Sequence, residues 1–253
     1  MFGTLKIDAR PGCDNGVRHT MNVAIIPARG GSKRIPGKNI KLFCGKPMIA
    51  HSIISALDSG IIDEVIVSTD DEQIAQTASD FGATVPFMRP AELADDYTGT
   101  RPVMRHAVQA LFDSGRDITH VACIYATAPL LPSSIIRKGF EMLVESNSDY
   151  VFTAAQFSFP IQRAIMQTPS GGVTPFDNVA IAKRSQDLPD AFHDAGQLYW
   201  GKADIWLDPS SAIFGENSQM IVLPSHRVQD IDTPEDWQRA ELLYMLLQKE
   251  GHR

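Results

Sequence analysis

The sequence predicts an α/β fold with a doubly wound, mainly parallel sheet. Short apolar runs alternate with segments of helical periodicity over most of residues 21–155. Strands separated by helices pair in parallel, and their helices cover both faces of the sheet. A loop rich in glycine and cations directly follows the first apolar run. Since ligands of such sheets bind beyond the carboxyl ends of the strands, this loop marks the expected site.

Six apolar runs are predicted as strands because they are short and rich in β-branched side chains. They cover residues 23–26, 64–68, 84–87, 120–125, 150–154 and 220–223. Helices are predicted between them at residues 47–58, 71–81, 100–112 and 133–145. In the first helix, Ile49, Ile53 and Leu57 recur at four-residue spacing and form one apolar face. The second ends at Gly82, a residue type that commonly terminates helices.

A last helix is predicted after Asp232. Thr233 is a favourable N-cap residue, and Pro234 suits the first helical position. Asp236 follows three residues after the cap, where it can act as the acid of a capping box.

Residues 156–208 break the alternation. They are rich in aromatic residues, proline and glycine, and contain only short strand-like runs. Extended ribbons are therefore predicted here. Such ribbons would expose a large apolar patch on a monomer, so we expect a homodimer with this segment as its arm.

Composition sets the class of protein. The 253 residues carry a net charge of −7, which argues against a nucleic-acid-binding surface. No stretch reaches the roughly 18 apolar residues that a membrane span needs. The three cysteines lack metal-ligand spacing, and reduced thiols fit a cytoplasmic enzyme.

Residues 1–20 are excluded from the predicted fold. They show no apolar periodicity and no hydrophobic segment typical of a signal peptide. They are interpreted as an added leader, a misassigned start or a native extension. Residues 21–253 then form a single domain that includes the arm.

The loop at residues 27–39 is interpreted as an anion-binding loop for a triphosphate. It contains no acid, three glycines and four cations, namely Arg29, Lys33, Arg34 and Lys38. Glycines let backbone N–H groups approach phosphate oxygens, and the cations neutralise their charge. Five residues separate Gly31 from Gly37, so the loop is not a Walker A motif. The alternative is a basic, solvated surface turn.

Asp230 and Asp232 are the candidate metal ligands. Alternate residues of an extended segment point the same way, and carboxylates suit Mg²⁺. The alternative gives Asp232 a helix-capping role and leaves Asp230 solvated. Arg89 and Tyr125 also lie at predicted strand ends, although Arg89 alternatively is a surface residue before a proline turn.

The ordered motifs of the chain resemble those of the CMP-acylneuraminate cytidylyltransferases. The resemblance runs from about residue 22 to about residue 250, roughly one domain's length. Its motifs comprise residues 28–33 with 36–39, 45–48, 68–70, 89–94, 127–130 and 230–232. The family has a nucleotide-diphospho-sugar transferase-like fold, a β-ribbon dimerisation arm, CTP as substrate and Mg²⁺ as cofactor.

The resemblance also implies site residues. Arg29 would contact the α-phosphate and Lys38 the β- and γ-phosphates, and Asp232 would join them in catalysis. The residues implied in CTP binding are Ala28, Arg29, Gly31, Ser32, Lys38, Asn39, Arg89 and Thr98. Asp230 and Asp232 would hold the metal.

Two departures from the sialic acid pattern resemble the pseudaminic acid subfamily. Residues 125–129 read Tyr-Ala-Thr-Ala-Pro where sialic acid enzymes usually carry Gln-Pro-Thr-Ser-Pro, and residues 192–200 form the second departure. The implied partner of CTP is a nine-carbon 2-keto sugar acid. Sugar recognition is expected at Tyr125, Thr127, His193, Asp194 and Gln197, although the His193–Asp194 pair could alternatively perform acid–base chemistry.

Two rival functions remain. The same reaction could act on N-acetylneuraminic or legionaminic acid, against which the two departures count. A catalytically silent nucleotide-binding module is the other rival, against which the presence of Arg29, Lys38, Asp230 and Asp232 counts.

Overall fold

The computed structural model describes residues 20–249. The leader expected at residues 1–20 therefore lies, except for Thr20, outside the described residues. Within the described range no helix is long and apolar enough to cross a membrane.

Ten strands and six α-helices make up the described fold. The strands are β1 (Met21–Pro27), β2 (Leu42–Phe43), β3 (Lys46–Pro47), β4 (Glu64–Ser68), β5 (Ile118–Ile124), β6 (Tyr150–Gln156), β7 (Ile165–Gln167), β8 (Val173–Pro175), β9 (Phe192–Lys202) and β10 (Ser218–Leu223). The helices are α1 (Met48–Leu57), α2 (Glu72–Asp80), α3 (Thr100–Asp113), α4 (Ser133–Ser146), α5 (Ala203–Leu207) and α6 (Pro234–Lys249).

The central sheet has the strand order β10-β6-β9-β5-β1-β4. β10 pairs in parallel with β6, and β1 pairs in parallel with both β5 and β4. Only β9 runs against its neighbours, antiparallel to β5 and β6. The predicted mainly parallel sheet is thus confirmed.

Helices cover both faces of this sheet. Apolar residues of α1, α2 and α4 pack on one face in a single cluster with alternate residues of the strands. Those of α3 and α5 pack on the other face. Residues Val23, Ala24, Ile25 and Ile26 of β1 are fully buried, because a central parallel strand faces apolar layers on both sides.

The strand predicted at residues 84–87 is wrong. This segment makes only isolated bridges to β4 and its end, from Thr84 to Ile66 and from Met88 to Thr69. Pro86 has no backbone N–H to donate to a continuous ladder, and this absence breaks the strand. The segment still runs beside β4, so Arg89 reaches the carboxyl edge, where its backbone N–H donates to the carbonyl of Thr69 at 2.7 Å.

The ribbon segment is shorter than the predicted 156–208. β9 and α5 belong to the main body, whereas residues 157–191 connect β6 to β9 outside the central sheet, with β7 and β8 paired as a small hairpin. Gly201, one of the glycines of the predicted ribbon segment, lies in β9 and serves packing there. A Cβ on Gly201 would lie 2.8 Å from the Tyr150 ring and 2.9 Å from Trp206 Nε1, so its absence lets both aromatic side chains close over β9.

Helix α6 begins with the predicted capping box. The backbone N–H of Asp236 donates to Thr233 Oγ1 at 3.2 Å, and Asp236 Oδ2 accepts from the backbone N–H of Thr233 at 2.9 Å. Trp237 then packs edge-on against Phe43 of β2, with ring centroids 5.4 Å apart. Ile231 is fully buried in the same cluster. Residues 230–232 are therefore held next to the loop that follows β1.

Candidate active site

A cleft of about 500 Å³ opens at the carboxyl edge of the sheet. Nine residues predicted for the site line it: Arg29, Ser32, Lys38, Asn39, Arg89, Thr98, Tyr125, Thr127 and Asp232. Its other lining residues are Pro27, Lys33, Arg34, Asp96, Thr100, Val103 and Ala126. The site thus combines the loop after β1 with the segment that leads from Arg89 into α3, the residues that follow β5, and Asp232 just before α6.

Glycine and asparagine shape the loop at residues 27–39, which we call the cationic loop. Gly30 donates its N–H to Asp70 Oδ1 at 3.0 Å, and a Cβ at Gly30 would lie only 2.7 Å from Asp71 Oδ2. Gly37 has a positive φ of 61°, which glycine adopts without strain. The buried Asn39 side chain donates to the carbonyl of Arg29 at 2.9 Å. These contacts fold the loop back on itself and bring its two ends together.

Two of the loop residues predicted to bind nucleotide do not line the cleft. Ala28 is 1% exposed and belongs to the core, whereas Gly31 is exposed. Any contact from Gly31 would come from its backbone.

All four cations of the cationic loop are paired with two carboxylates. Asp96 binds Arg29 at 2.7 Å and also Lys33. Asp232 binds Arg34 at 2.8 Å and Lys38 at 3.3 Å. The four cations and two carboxylates leave a net charge of +2 (four minus two), a favourable field for an anion.

Asp230 and Asp232 could hold a divalent cation together. Partial burial and the adjacent Asp232 carboxylate raise the pKa of Asp230, a penalty that a bound cation would relieve. Within residues 20–249, no group of three or more His, Cys, Asp or Glu side chains is arranged to hold a metal. Asp232 lines the cleft, whereas Asp230 does not. Mg²⁺ commonly uses one or two carboxylates together with substrate phosphates, so Asp232, with Asp230 two residues away, could share the ion with a bound phosphate.

Arg89 is buried, and the alternative of a surface residue is wrong. Its side chain is anchored on Ser68 at the end of β4, with Nε donating to Oγ at 3.2 Å and Nη2 donating to the carbonyl. Burial lowers the pKa of Arg89 to about 10, while Asp70 opposes that shift. The guanidinium therefore stays charged at neutral pH and presents a fixed cation to the cleft.

Tyr125 lines the cleft just beyond the end of β5. Its hydroxyl is hydrogen-bonded to Thr100 Oγ1 at 2.7 Å, and its ring packs 5.4 Å from that of Tyr199. The buried Tyr199 in turn donates its O–H to Asp194 Oδ2 at 2.5 Å. Asp194 itself does not line the cleft but is connected to it through this aromatic pair.

His193 and Gln197 lie outside the cleft lining. The Nδ1 atom of His193 lies 2.9 Å from the backbone carbonyl of Asp194, and its ring packs against Phe157 at 5.0 Å. That geometry contains no His–carboxylate dyad for acid–base chemistry. Gln197 is 2% exposed and donates from Nε2 to the carbonyl of Arg227 at 2.6 Å.

Sequence reasoning missed Asp96 and Thr100 as site residues. Both follow the Arg89 motif, and the pair Asp95–Asp96 is the first acidic pair after it. Ion pairing to Arg29 depends on how the chain folds back over 67 residues, which no local pattern indicates.

Lys38→Ala is expected to raise the transition-state free energy by about 1.5–3 kcal/mol, or roughly 10- to 150-fold in kcat/KM. Lys38 is the least exposed loop cation, 18% exposed, and donates to the carbonyl of Ile231 at 2.6 Å, so its charge is fixed at the cleft. Steady-state kinetics with a nucleoside triphosphate substrate measures the loss. Arg29→Ala is expected to behave similarly, and Lys138→Ala on the exposed side of α4 is the control. Wild-type kcat/KM in both loop variants would exclude phosphate binding by this loop.

Comparison with known proteins gives the family. Residues 23–221 match the cytidylyltransferase family. The chain is 46% identical to a pseudaminic acid cytidylyltransferase of Campylobacter jejuni over 223 residues, which are 88% of this chain and 96% of the relative. It is 32% identical to a CMP-N,N'-diacetyllegionaminic acid synthase of Legionella pneumophila, covering 90% of this chain and 97% of the relative.

A solved structure with the same fold is a CMP:2-keto-3-deoxy-manno-octonic acid synthetase in complex with CTP. Its TM-score is 0.65 at 20% identity, and the match covers 91% of this chain and all of that one. The likeness confirms the predicted nucleotidyltransferase fold. Together with the match over residues 23–221, it leads to one conclusion: the chain belongs to the cytidylyltransferase family.

Proposed function

We propose that this protein transfers CMP from CTP to the anomeric hydroxyl of pseudaminic acid, releasing pyrophosphate. The observation that carries the proposal is the glycine-shaped cationic loop, whose four cations border one cleft in a chain 46% identical to a pseudaminic acid cytidylyltransferase. A triphosphate carries more negative charge than the two carboxylates now paired with those cations. The product would be a CMP-sugar for glycan or flagellin modification.

The loop residues serve phosphate binding in this proposal. Arg29 contacts the α-phosphate, at which the sugar hydroxyl attacks in line, and Lys38 contacts the β- and γ-phosphates of the leaving group. Both cations stabilise charge that grows on the phosphate oxygens as the bond to pyrophosphate breaks. Ser32, Asn39, Arg89 and Thr98 border the rest of the nucleotide, and Ala28 and Gly31 supply backbone.

Asp230 and Asp232 hold Mg²⁺ in this proposal. When bound, the ion offsets charge on the phosphates and lowers the pKa of the attacking hydroxyl. The ion pairs of Asp232 with Lys38 and Arg34 support a metal site next to the cationic loop.

The acceptor sugar lies beside Tyr125 and Thr127 in this proposal. Tyr125 is fixed by Thr100 and packs on Tyr199, so its hydroxyl has a defined position. His193, Asp194 and Gln197 support this side from β9. The free thiols Cys44 and Cys123 support a cytoplasmic location, where cysteines stay reduced.

The test is release of pyrophosphate from CTP in the presence of Mg²⁺ and pseudaminic acid, with formation of the CMP-sugar followed by mass spectrometry. Product is expected only when nucleotide, acid and metal are all present. CTP binding without turnover on pseudaminic, legionaminic or N-acetylneuraminic acid would instead indicate a silent nucleotide-binding module.

We further propose a homodimer built on residues 157–191. This segment exposes Phe159, Ile165, Val173, Phe176 and Val179, each at least 64% exposed. Apolar patches of this kind commonly mark interfaces.

Light scattering at micromolar concentration is expected to give a mass near 56 kDa, twice the 27.8 kDa of the chain. Phe176→Asp is expected to favour the monomer. Leu242→Asp on the exposed side of α6 is the control. A wild-type protein that is monomeric and fully active would contradict the proposal.

A further inference from the structure

We propose that Asp96 occupies the phosphate site of the ligand-free protein and that the triphosphate displaces it. The inference rests on the proposed nucleotide binding and adds a residue that sets its affinity. Asp96 lies in the segment Asp95–Gly99, which we call the acidic loop, between Arg89 and the start of α3.

The contacts of Asp96 are those of an anion bound to the cationic loop. Its Oδ1 atom accepts from Arg29 Nη1 at 2.7 Å, and its Oδ2 atom accepts from Lys33 Nζ. The two oxygens of one carboxylate thus contact two cations of the same loop, as two oxygens of a phosphate would. These cations lower the pKa of Asp96, Lys33 having the larger effect.

A purely positioning role for Asp96 would not require Lys33. Arg29 is already held by the carbonyl of Asp95, to which its Nη1 donates at 2.8 Å. Lys33 is 81% exposed, and its side chain would be free to extend into solvent without Asp96. The ion pair between Lys33 and Asp96 indicates that the space between Lys33 and Arg29 attracts negative charge.

A local turn shapes the acidic loop. Asp95 Oδ1 accepts from the backbone N–H groups of Tyr97 and Thr98 at 3.0 and 2.6 Å, and these hydrogen bonds do not involve the Asp96 side chain. Tyr97 at its tip is 94% exposed. The attachments of Asp96 to the body are the two ion pairs with the cationic loop, and exposed ion pairs of this kind are weak.

Competition has a consequence for affinity. Each phosphate that binds Arg29 and Lys33 must first replace the Asp96 carboxylate, or remain beside it at a repulsive distance. Removal of the charge at residue 96 should therefore tighten binding of phosphates and leave the nucleoside unaffected.

The experiment compares wild type with Asp96→Asn by calorimetry, using CTP, inorganic pyrophosphate and cytidine at fixed Mg²⁺ and low ionic strength. Asp96→Asn is expected to bind CTP and pyrophosphate about two- to fivefold more tightly, the range that exposed ion pairs give, with cytidine unchanged. Asp113→Asn is the matched control, since it also removes one exposed carboxylate, which accepts a side-chain hydrogen bond from Gln109, but lies outside the cleft and outside residues 157–191. Its affinities are expected to equal those of wild type.

The outcomes separate this inference from the proposed function. If Asp96→Asn binds both phosphates equally or more weakly, Asp96 holds Arg29 in place and the inference is overturned, whatever the acceptor acid. An equal gain in Asp113→Asn would also overturn it, because the effect would then come from total charge. If wild type binds neither CTP nor pyrophosphate, the proposed function and the inference both fail.

Discussion

Asp232→Asn is expected to lower kcat by about 10²-fold or more. The amide keeps the shape of the side chain but removes the charge that faces Lys38 and Arg34 and that would bind the metal. Steady-state release of pyrophosphate, measured over a range of Mg²⁺ concentrations, is expected to show a lower plateau and a higher Mg²⁺ requirement. Asp230→Asn is expected to shift the Mg²⁺ requirement in the same direction.

The fold should survive this change. Thr233 and Asp236 cap helix α6 without Asp232's carboxylate, so the melting temperature is expected to stay close to that of wild type. Asp113→Asn again controls for loss of a surface charge. Wild-type kcat in Asp232→Asn, or full turnover of the wild-type protein in excess chelator, would exclude the metal role.

Pseudaminic acid is expected to be preferred over N-acetylneuraminic acid by as much as about 10⁴-fold in kcat/KM. The two acids differ in ring stereochemistry and in the positions of their amide and methyl groups. A site with fixed polar partners leaves them unpaired when the wrong acid binds, and each unpaired buried group costs free energy. Tyr125 would be such a partner in the proposed site, because Thr100 and the Tyr199 ring fix it at the cleft.

A side-by-side measurement of kcat/KM for both acids at saturating CTP tests this preference. Tyr125→Phe retains the ring packing but removes the hydroxyl, so it should raise KM for the acid more than KM for CTP. His193 lies outside the cleft lining, and His193→Ala should also raise KM for the acid more than KM for CTP. Equal kcat/KM values for the two acids would overturn the choice of pseudaminic acid and leave cytidylyl transfer intact.

Local signals in the sequence predicted much of this fold. The parallel strands, helices α1 to α4 and the Thr233–Asp236 cap follow from apolar periodicity and from residue types that act within one turn. The cationic loop was also predicted from local sequence, because its glycines and cations lie within one short segment. The antiparallel direction of β9 was not predicted, because its pairing with β5 and β6 joins residues far apart in sequence.

The same distinction applies to the candidate site. Strand ends locate Arg29, Arg89 and Tyr125 at one edge, and the structure brings them to one cleft. Asp96 and Thr100 were not predicted because their partners come from distant parts of the chain. A carboxylate on a loop can be assigned to the site only when the fold shows that it faces Arg29 and Lys33. His193 illustrates the converse, because a residue in a suggestive motif lies outside the cleft lining.

Strand β9 also has a consequence for assembly of the chain during synthesis. The pair β6–β10 is joined to the trio β4–β1–β5 only through β9, which inserts between β6 and β5. A nascent chain that ends before Phe192 lacks both β9 and β10, so β5 would present an unpaired edge and β6 would have neither of its partners. Contacts this distant in sequence form slowly because a long loop must close first. The ribosome must deliver most of the protein before β9 can join β6 to the β4–β1–β5 trio, so aggregation through unpaired strand edges is expected mainly in the interval before β9 docks.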